Sequence, residues 1–255
     1  TDLRDLPVTL VAAPGTAPSP LLRWLVRDVD TRQAAGAAGM NPSAVLVSLA
    51  DDPPPGTAVL GTQPESLSLG YLTEIWGQRT DLKRISSADA RGLLDGSGFA
   101  VTEAALPLVP TEVDPSARYS ALGRTLSWVR ADPTTEIPGD LLSWRQAFGD
   151  DILLAGGRSA RNRATGEEVV TLVWQATRTP GHDWSTSVRL VQDGSETAQV
   201  DRQHPVSGAY PTTRWLPGEV VTDAYPFVLP AGASPEAVTI VVYRRAEDGG
   251  FINLD

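Results

Sequence analysis

Several residue types are absent or scarce in the sequence. There is no cysteine, there are two histidines, and Lys83 is the only lysine. Without cysteine, the chain cannot form a disulfide, a thiolate nucleophile or a cysteine-ligated metal site. The missing disulfides do not exclude an extracytoplasmic location, since a chain of 255 residues can bury a sizeable core. We attribute the near-exclusive use of arginine to a GC-rich genome rather than to function.

Long apolar runs and net positive charge are also lacking. No run reaches the roughly 18 apolar residues of a membrane-spanning helix. The net charge of −10 disfavours non-specific nucleic-acid binding and docking on an anionic membrane, because both need a basic surface. The chain opens without an initiator methionine or a signal peptide. We therefore expect a soluble piece of a longer protein, with targeting segments elsewhere.

The residue pattern changes along the chain, and its length suits two domains. Two helices are predicted near the start, from Leu21 to about Ala38 and from Pro42 to Leu49. Short apolar strands then alternate with helices between Thr57 and Thr102, which is typical of a parallel sheet with crossover helices. We predict a small, incomplete Rossmann-like α/β domain over residues 1–135. A β-sandwich of the jelly-roll, carbohydrate-binding-module type is predicted over residues 136–255.

The second half shows the period-two alternation of half-buried strands. Six strands are predicted, namely Ile152 to Ala155, Val169 to Ala176, Ser185 to Val191, Ala198 to Asp201, Val220 to Leu229 and Val238 to Arg244. The proline-rich stretch between the fourth and fifth strands reads as a long ordered connection, since proline cannot donate to a central ladder.

Residues suited to catalysis or metal binding are few. His182 and His204 fall in predicted loops beside Asp183 and Asp201, which would allow a metal or acid–base site. We favour two exposed loop histidines. Adjacent acidic residues occur at Asp51-Asp52, Asp150-Asp151 and Glu167-Glu168. Neighbours on a strand face opposite ways, so none is a ready glycosidase pair, and no catalytic residue is assigned. No cofactor is expected, although a β-sandwich could hold a structural calcium ion.

The turn from Gly61 to Ser66 follows a strand and opens a helix, where α/β sheets often bind anions. It has neither GxGxxG nor a Walker lysine. Glu65 in the first helical turn would satisfy the helix dipole and repel a phosphate. We therefore do not expect nucleotide binding.

Aromatic residues cluster in the predicted β domain. Exposed on one face, Trp and Tyr stack on sugar rings while polar neighbours bond the hydroxyls, whereas buried rings are simply core. Trp174 lies among valines and is expected in the core. The ligand-binding candidates are Tyr210, Trp215, Trp184, Asp201 and Arg214.

Two passages resemble a known family. The first, from Pro53 to Ser86, is similar to an extracytoplasmic segment of large bacterial polytopic membrane proteins. These belong to the protein O-mannosyltransferase-like group with GT-C architecture. The matching residues are Pro55, Gly56, Glu65, Leu69, Tyr71, Leu72, Gly77, Arg79, Asp81 and Leu82. Thr80 replaces the usual proline.

The second passage, from Val169 to Pro230, resembles the C-terminal jelly-roll module of lipid-carrier-dependent glycosyltransferases of this kind. The matching residues are Tyr210, Pro211, Thr212, Trp215, Pro217, Gly218, Glu219, Val220, Asp223 and Pro230. The end departs from the module, because Ala237 to Tyr243 lacks its glycines.

The resemblance implies a non-catalytic region on the extracytoplasmic face of the bacterial cell membrane, attached to membrane helices of a glycosyltransferase-like parent. The acidic catalytic loop of GT-C enzymes lies near their first membrane helices and has no counterpart here. The expected partners are a glycan or an acceptor protein. Two alternatives stay open: a free-standing carbohydrate-active enzyme with its site between the domains, and a purely structural interaction domain.

Overall fold

The computed structural model describes residues 51–254, apart from residues 52, 76, 78, 140, 163–166 and 231. The helices predicted from Leu21 and from Pro42 lie outside the described residues. The chain divides into two compact units. The first, the α/β unit, runs to Ala117 and also includes Thr125–Ala131. The second, the β unit, comprises Arg118–Arg124 and the chain from Asp132 onward.

The described residues form two α-helices and thirteen strands. In the α/β unit and the segment that interrupts it, they are β1 (Ala58–Leu60), α1 (Gln63–Gly70), β2 (Lys83–Ile85), α2 (Ser87–Leu94), β3 (Phe99–Thr102), β4 (Arg118–Ala121) and β5 (Leu126–Arg130). The remaining strands are β6 (Leu142–Phe148), β7 (Ile152–Asn162), β8 (Glu167–Ala176), β9 (Ser185–Gln192), β10 (Ser195–Arg202), β11 (Val220–Val228), β12 (Ala237–Arg245) and β13 (Phe251–Asn253). This part of the chain is mostly β, as expected.

The α/β unit has the predicted alternation of strands and helices. Its strands lie in the order β2-β1-β3-β5. β1 pairs in parallel with both β2 and β3, and β5 is antiparallel to β3. Ser86 caps α2 through a capping box with Asp89, and Ala90 and Leu94 bury the inner face of the helix. Such a cap stabilises a helix by about 1 kcal/mol.

Arg79 and Asp81 tie the turn before β2 to the turn before β1. Arg79 donates from Nε to Asp81 Oδ1 at 3.0 Å and from Nη2 to the Pro53 carbonyl at 2.7 Å. The Gly56 amide donates to Asp81 Oδ2 at 3.3 Å. The hydrogen bond from Arg79 is the main reason that the pKa of Asp81 falls to about 2. Arg79 and Asp81, which belong to the first passage that resembles the family, therefore stabilise the local structure.

The β unit contains two four-stranded antiparallel sheets, β11-β8-β7-β6 and β10-β9-β12-β13. Thr186, Val188 and Leu190 on β9 are buried, as the predicted alternation requires, but Ser187 between them is buried as well. Trp174 lies in the core of β8, as expected. The strands β6 and β13 were not predicted. Among the described residues, no helix is long and apolar enough to cross a membrane.

Candidate functional site

The connection between β10 and β11 is organised around the hydroxyl of Tyr210, whose side chain is fully buried. This hydroxyl donates to Glu219 Oε1 at 2.6 Å and accepts from Arg118 Nη1 at 3.1 Å. Arg118 Nη1 also lies 3.6 Å from Glu219 Oε2. Burial raises the pKa of Tyr210, and the hydrogen bond to Glu219 raises it further. The hydroxyl therefore stays protonated and serves as a donor.

Glu219 closes the turn that leads into β11. Its second oxygen, Oε2, accepts from the Leu216 amide at 2.8 Å. Gly218 has a φ of +83°, a conformation that glycine adopts at little cost, and its amide donates to the Ala176 carbonyl at 2.7 Å. The buried carboxylate of Glu219 is thus satisfied by Tyr210, Leu216 and Arg118, and it fixes the connection onto the end of β8.

Replacing Tyr210 with phenylalanine should lower the free energy of unfolding by about 1–3 kcal/mol, because Glu219 Oε1 would lose its buried donor. Chemical denaturation at neutral pH measures this loss. Tyr243→Phe is the matched control, since that hydroxyl lies on a part-exposed residue of β12. Equal stability of the two variants would contradict a bracing role for the Tyr210 hydroxyl.

A second buried carboxylate, Asp223 on β11, connects the two sheets of the β unit. Its Oδ1 accepts from Arg202 Nη1 at 2.7 Å and from the Val206 and Ala224 amides at 3.0 and 2.9 Å. The Arg202 guanidinium also lies 4.7 Å above the ring centre of Tyr225. Burial raises the pKa of Asp223, and the charge of Arg202 opposes that rise.

Thr212 and Thr213 anchor the loop that precedes β9. Thr212 Oγ1 accepts from the Trp184 amide and donates to the His182 carbonyl, each at 3.0 Å. Thr213 donates to Asp183 Oδ1 from its amide at 3.1 Å and from its hydroxyl at 2.6 Å. The loop from His182 to Trp184 is therefore fixed by the threonine pair.

Three of the five predicted ligand-binding residues are buried. Tyr210, Trp215 and Trp184 are 0, 1 and 6% exposed, so of the two alternatives the core position holds for these rings, and they offer no exposed face on which a sugar could stack. The physical reason is that the connection folds back onto the sheet ends, and its hydrogen bonds are made internally. Arg214 lies 5.4 Å from the Tyr210 ring centre. Asp201 is exposed and accepts from Gln199 at 2.6 Å. A ligand-binding role for these five residues stays a prediction.

In the α/β unit, Glu65 occupies the carboxyl ends of β1 and β3. This is the point where the parallel strand order reverses and where open α/β sheets bind ligands. Glu65 Oε2 accepts from the Thr62 amide at 2.9 Å, the Thr62 hydroxyl at 2.8 Å and the Thr102 hydroxyl at 2.6 Å. The carboxylate thus covers the start of α1, as expected, and supplies negative charge where a phosphate would bind.

Acidic residues from two of the adjacent pairs are engaged in separate places. Asp51 is buried and accepts from the Thr125 and Leu126 amides, whereas Asp150 and Asp151 pair with Arg178 at the surface. His182 is exposed and His204 is partly buried. Within the described ranges, no three acidic or histidine side chains come together as metal ligands would.

Sequence reasoning missed Arg118 and Arg202, which neutralise the two buried carboxylates of the β unit. Arg118 is 92 residues from Tyr210 along the chain. No local pattern marks such a partner. Glu219 and Asp223 did carry a signal, because both belong to the passage that resembles the glycosyltransferase module.

Comparison of the chain with protein-family models, curated proteins and solved structures finds no match. Function is therefore inferred from the contacts of the residues themselves.

Proposed function

We propose that this chain is a non-catalytic, extracytoplasmic region of a bacterial membrane protein of the protein O-mannosyltransferase-like group. The supporting observation is where the resembling residues lie. Tyr210, Thr212 and Glu219 are all buried, and each hydrogen-bonds within the β unit. The resemblance of these residues to the family module is explained by hydrogen bonds that brace the module. A catalytic role is not needed to explain it.

The jelly-roll and Rossmann-like assignments are part of the same proposal. A jelly roll has eight strands in two sheets, and β6 to β13 form two four-stranded sheets. Side chains of both sheets meet where Arg202 of β10 contacts Asp223 and Tyr225 of β11. In the α/β unit, the parallel order β2-β1-β3 with α1 and α2 as connections supports a small Rossmann-like arrangement.

The proposed role is to hold a glycan or an acceptor protein near a membrane-embedded catalytic part. Because Tyr210, Trp215 and Trp184 are buried, such a partner would be bound through polar groups rather than by stacking on these rings. Glu65 Oε2 and both carboxylate oxygens of Glu219 accept from hydroxyl or amide donors. This engagement favours the non-catalytic role over the alternative of a free-standing carbohydrate-active enzyme.

The location is tested by fractionating the bacterium that makes this protein. Antibodies against the chain should detect it in the membrane fraction, and protease added to intact spheroplasts should degrade it. A cytoplasmic protein of known location, protected in the same sample, is the control. Recovery of the chain in the cytosol, or its protection from protease in intact spheroplasts, would contradict the proposal.

The non-catalytic role has its own assay. The purified chain, incubated with polyprenyl-phosphate mannose and a serine- and threonine-rich peptide, should transfer no mannose. It should also release no sugar from oligosaccharides. Turnover that is lost in a Glu65→Gln or Glu219→Gln variant of unchanged stability would establish the enzyme alternative instead.

A further inference from the structure

Arg244 on β12 lies beside the loop that precedes β9. Strand pairing sets Tyr243 opposite Ser185 and Val242 opposite Thr186, which brings Arg244 next to Trp184. The Arg244 guanidinium is 5.8 Å from the centre of the Trp184 ring. The His182 ring meets the same indole edge-on, with the ring centres 6.2 Å apart. A cation, an indole and an imidazole thus form one cluster within the β unit.

Two donors in this cluster lack acceptors. Trp184 Nε1 and Arg244 Nε are both buried without a hydrogen-bond partner. Among the described residues, the Arg244 guanidinium also has no carboxylate or carbonyl partner, in contrast to Arg118 and Arg202. Buried donors are nearly always paired in folded proteins, and an unpaired one lowers stability. The cluster therefore holds two buried donors without acceptors, and a guanidinium with no carboxylate partner among the described residues.

The backbone of the loop that carries this cluster is also held in place by hydrogen bonds. The bonds from Thr212 and Thr213 hold the backbone of His182, Asp183 and Trp184, so the loop needs no ordering when a ligand arrives. Asp183 is the acidic residue between His182 and Trp184 in the chain. Its Oδ1 accepts from the amide and the hydroxyl of Thr213.

We propose that Arg244, with Trp184 and His182, binds a small anion that carries a carboxylate or a phosphoryl group. A guanidinium matches the geometry of both groups and forms charge-assisted hydrogen bonds with them. The exposed imidazole of His182 adds a polar group on the same indole. The site does not depend on the membrane assignment, because it is defined by residues of the β unit alone.

Two sources could supply the anionic group, an acidic sugar or a phosphate. Sodium glucuronate and inorganic phosphate are the probes that separate them, and glucose is the neutral control. The readout is the indole N–H resonance of Trp184 in the ¹⁵N-labelled chain, assigned with Trp184→Phe. At constant ionic strength, we expect a saturable shift with at least one anion, with a Kd of about 1 mM, and none with glucose.

Two adjacent arginines provide matched variants. Arg244→Gln should weaken binding about tenfold or more, the loss expected for a charged hydrogen-bond partner. Arg245→Gln removes the same charge from an exposed neighbour and should leave binding unchanged. If Arg244→Gln lowers the unfolding midpoint severely, His182→Ala serves in its place and should weaken binding several-fold. Absence of a saturable shift with both anions, or equal weakening by the Arg244 and Arg245 variants, would overturn the proposal.

Discussion

Replacing Trp215 with alanine should lower the free energy of unfolding by about 3–5 kcal/mol, the range for large aromatic residues in cores. Trp215 is 1% exposed, and its ring centre lies 6.2 Å from that of Tyr210. Its amide donates to the Thr212 carbonyl at 3.0 Å, which closes the short turn Thr212–Arg214. The variant would leave a cavity under the connection, and the surrounding braced backbone has little freedom to collapse into it.

Urea denaturation measures the effect of Trp215→Ala, and Trp144→Ala is the control. Trp144 lies on the edge strand β6 and is 40% exposed. Its ring packs over Gly157, where a Cβ would lie only 2.6 Å from Trp144 Cζ3. We expect the Trp144 variant to lose less than half as much stability. Equal losses would mean that Trp215 does not brace the connection.

The regular part of the fold could be predicted because its signals are local. Strands with one buried face repeat with a period of two, so β9 is recognisable from Thr186, Val188 and Leu190 alone. The edge strand β6 has no such signal. All of its residues except Phe148 are exposed, and its pairing shifts register between Ser143 and Gln146.

The candidate site was predictable only in part. The Tyr210 to Glu219 passage could be singled out from the sequence, but the flanking proline, glycine and arginine suggested exposed rings. Local polarity does not tell whether a connection folds back onto a sheet. That outcome depends on Arg118, which donates to both Tyr210 and the Arg214 carbonyl from a distant part of the chain. Such long-range partners leave no pattern in one sequence.

The buried ion pair of Arg202 and Asp223 gives the second large effect. Arg202→Met should lower the free energy of unfolding by about 3–5 kcal/mol at pH 7, because it leaves a buried carboxylate without its cation. Asp223 is fully buried, and its Oδ1 would keep the Val206 and Ala224 amides as donors but lose its ion pair with Arg202. Loss of the guanidinium would also raise the pKa of Asp223 above its already elevated value, since Arg202 is the main group that lowers it.

The sign of the pH dependence follows from that shift. Consider a carboxyl whose pKa in the folded protein is higher than its unfolded value near 4. Its contribution to the free energy of unfolding is fully present below the unfolded pKa and is lost as the pH rises through the folded-state pKa. The deficit of Arg202→Met against the native chain should therefore be smaller at about pH 4.5 than at pH 7. Denaturation at both pH values measures this, with Arg202→Met combined with Asp223→Asn as the control that cannot titrate at residue 223. A deficit that is the same at both pH values would show that Asp223 takes up no proton when Arg202 is removed. The loss of stability would then come from the packing of Arg202 against Tyr225 rather than from its charge.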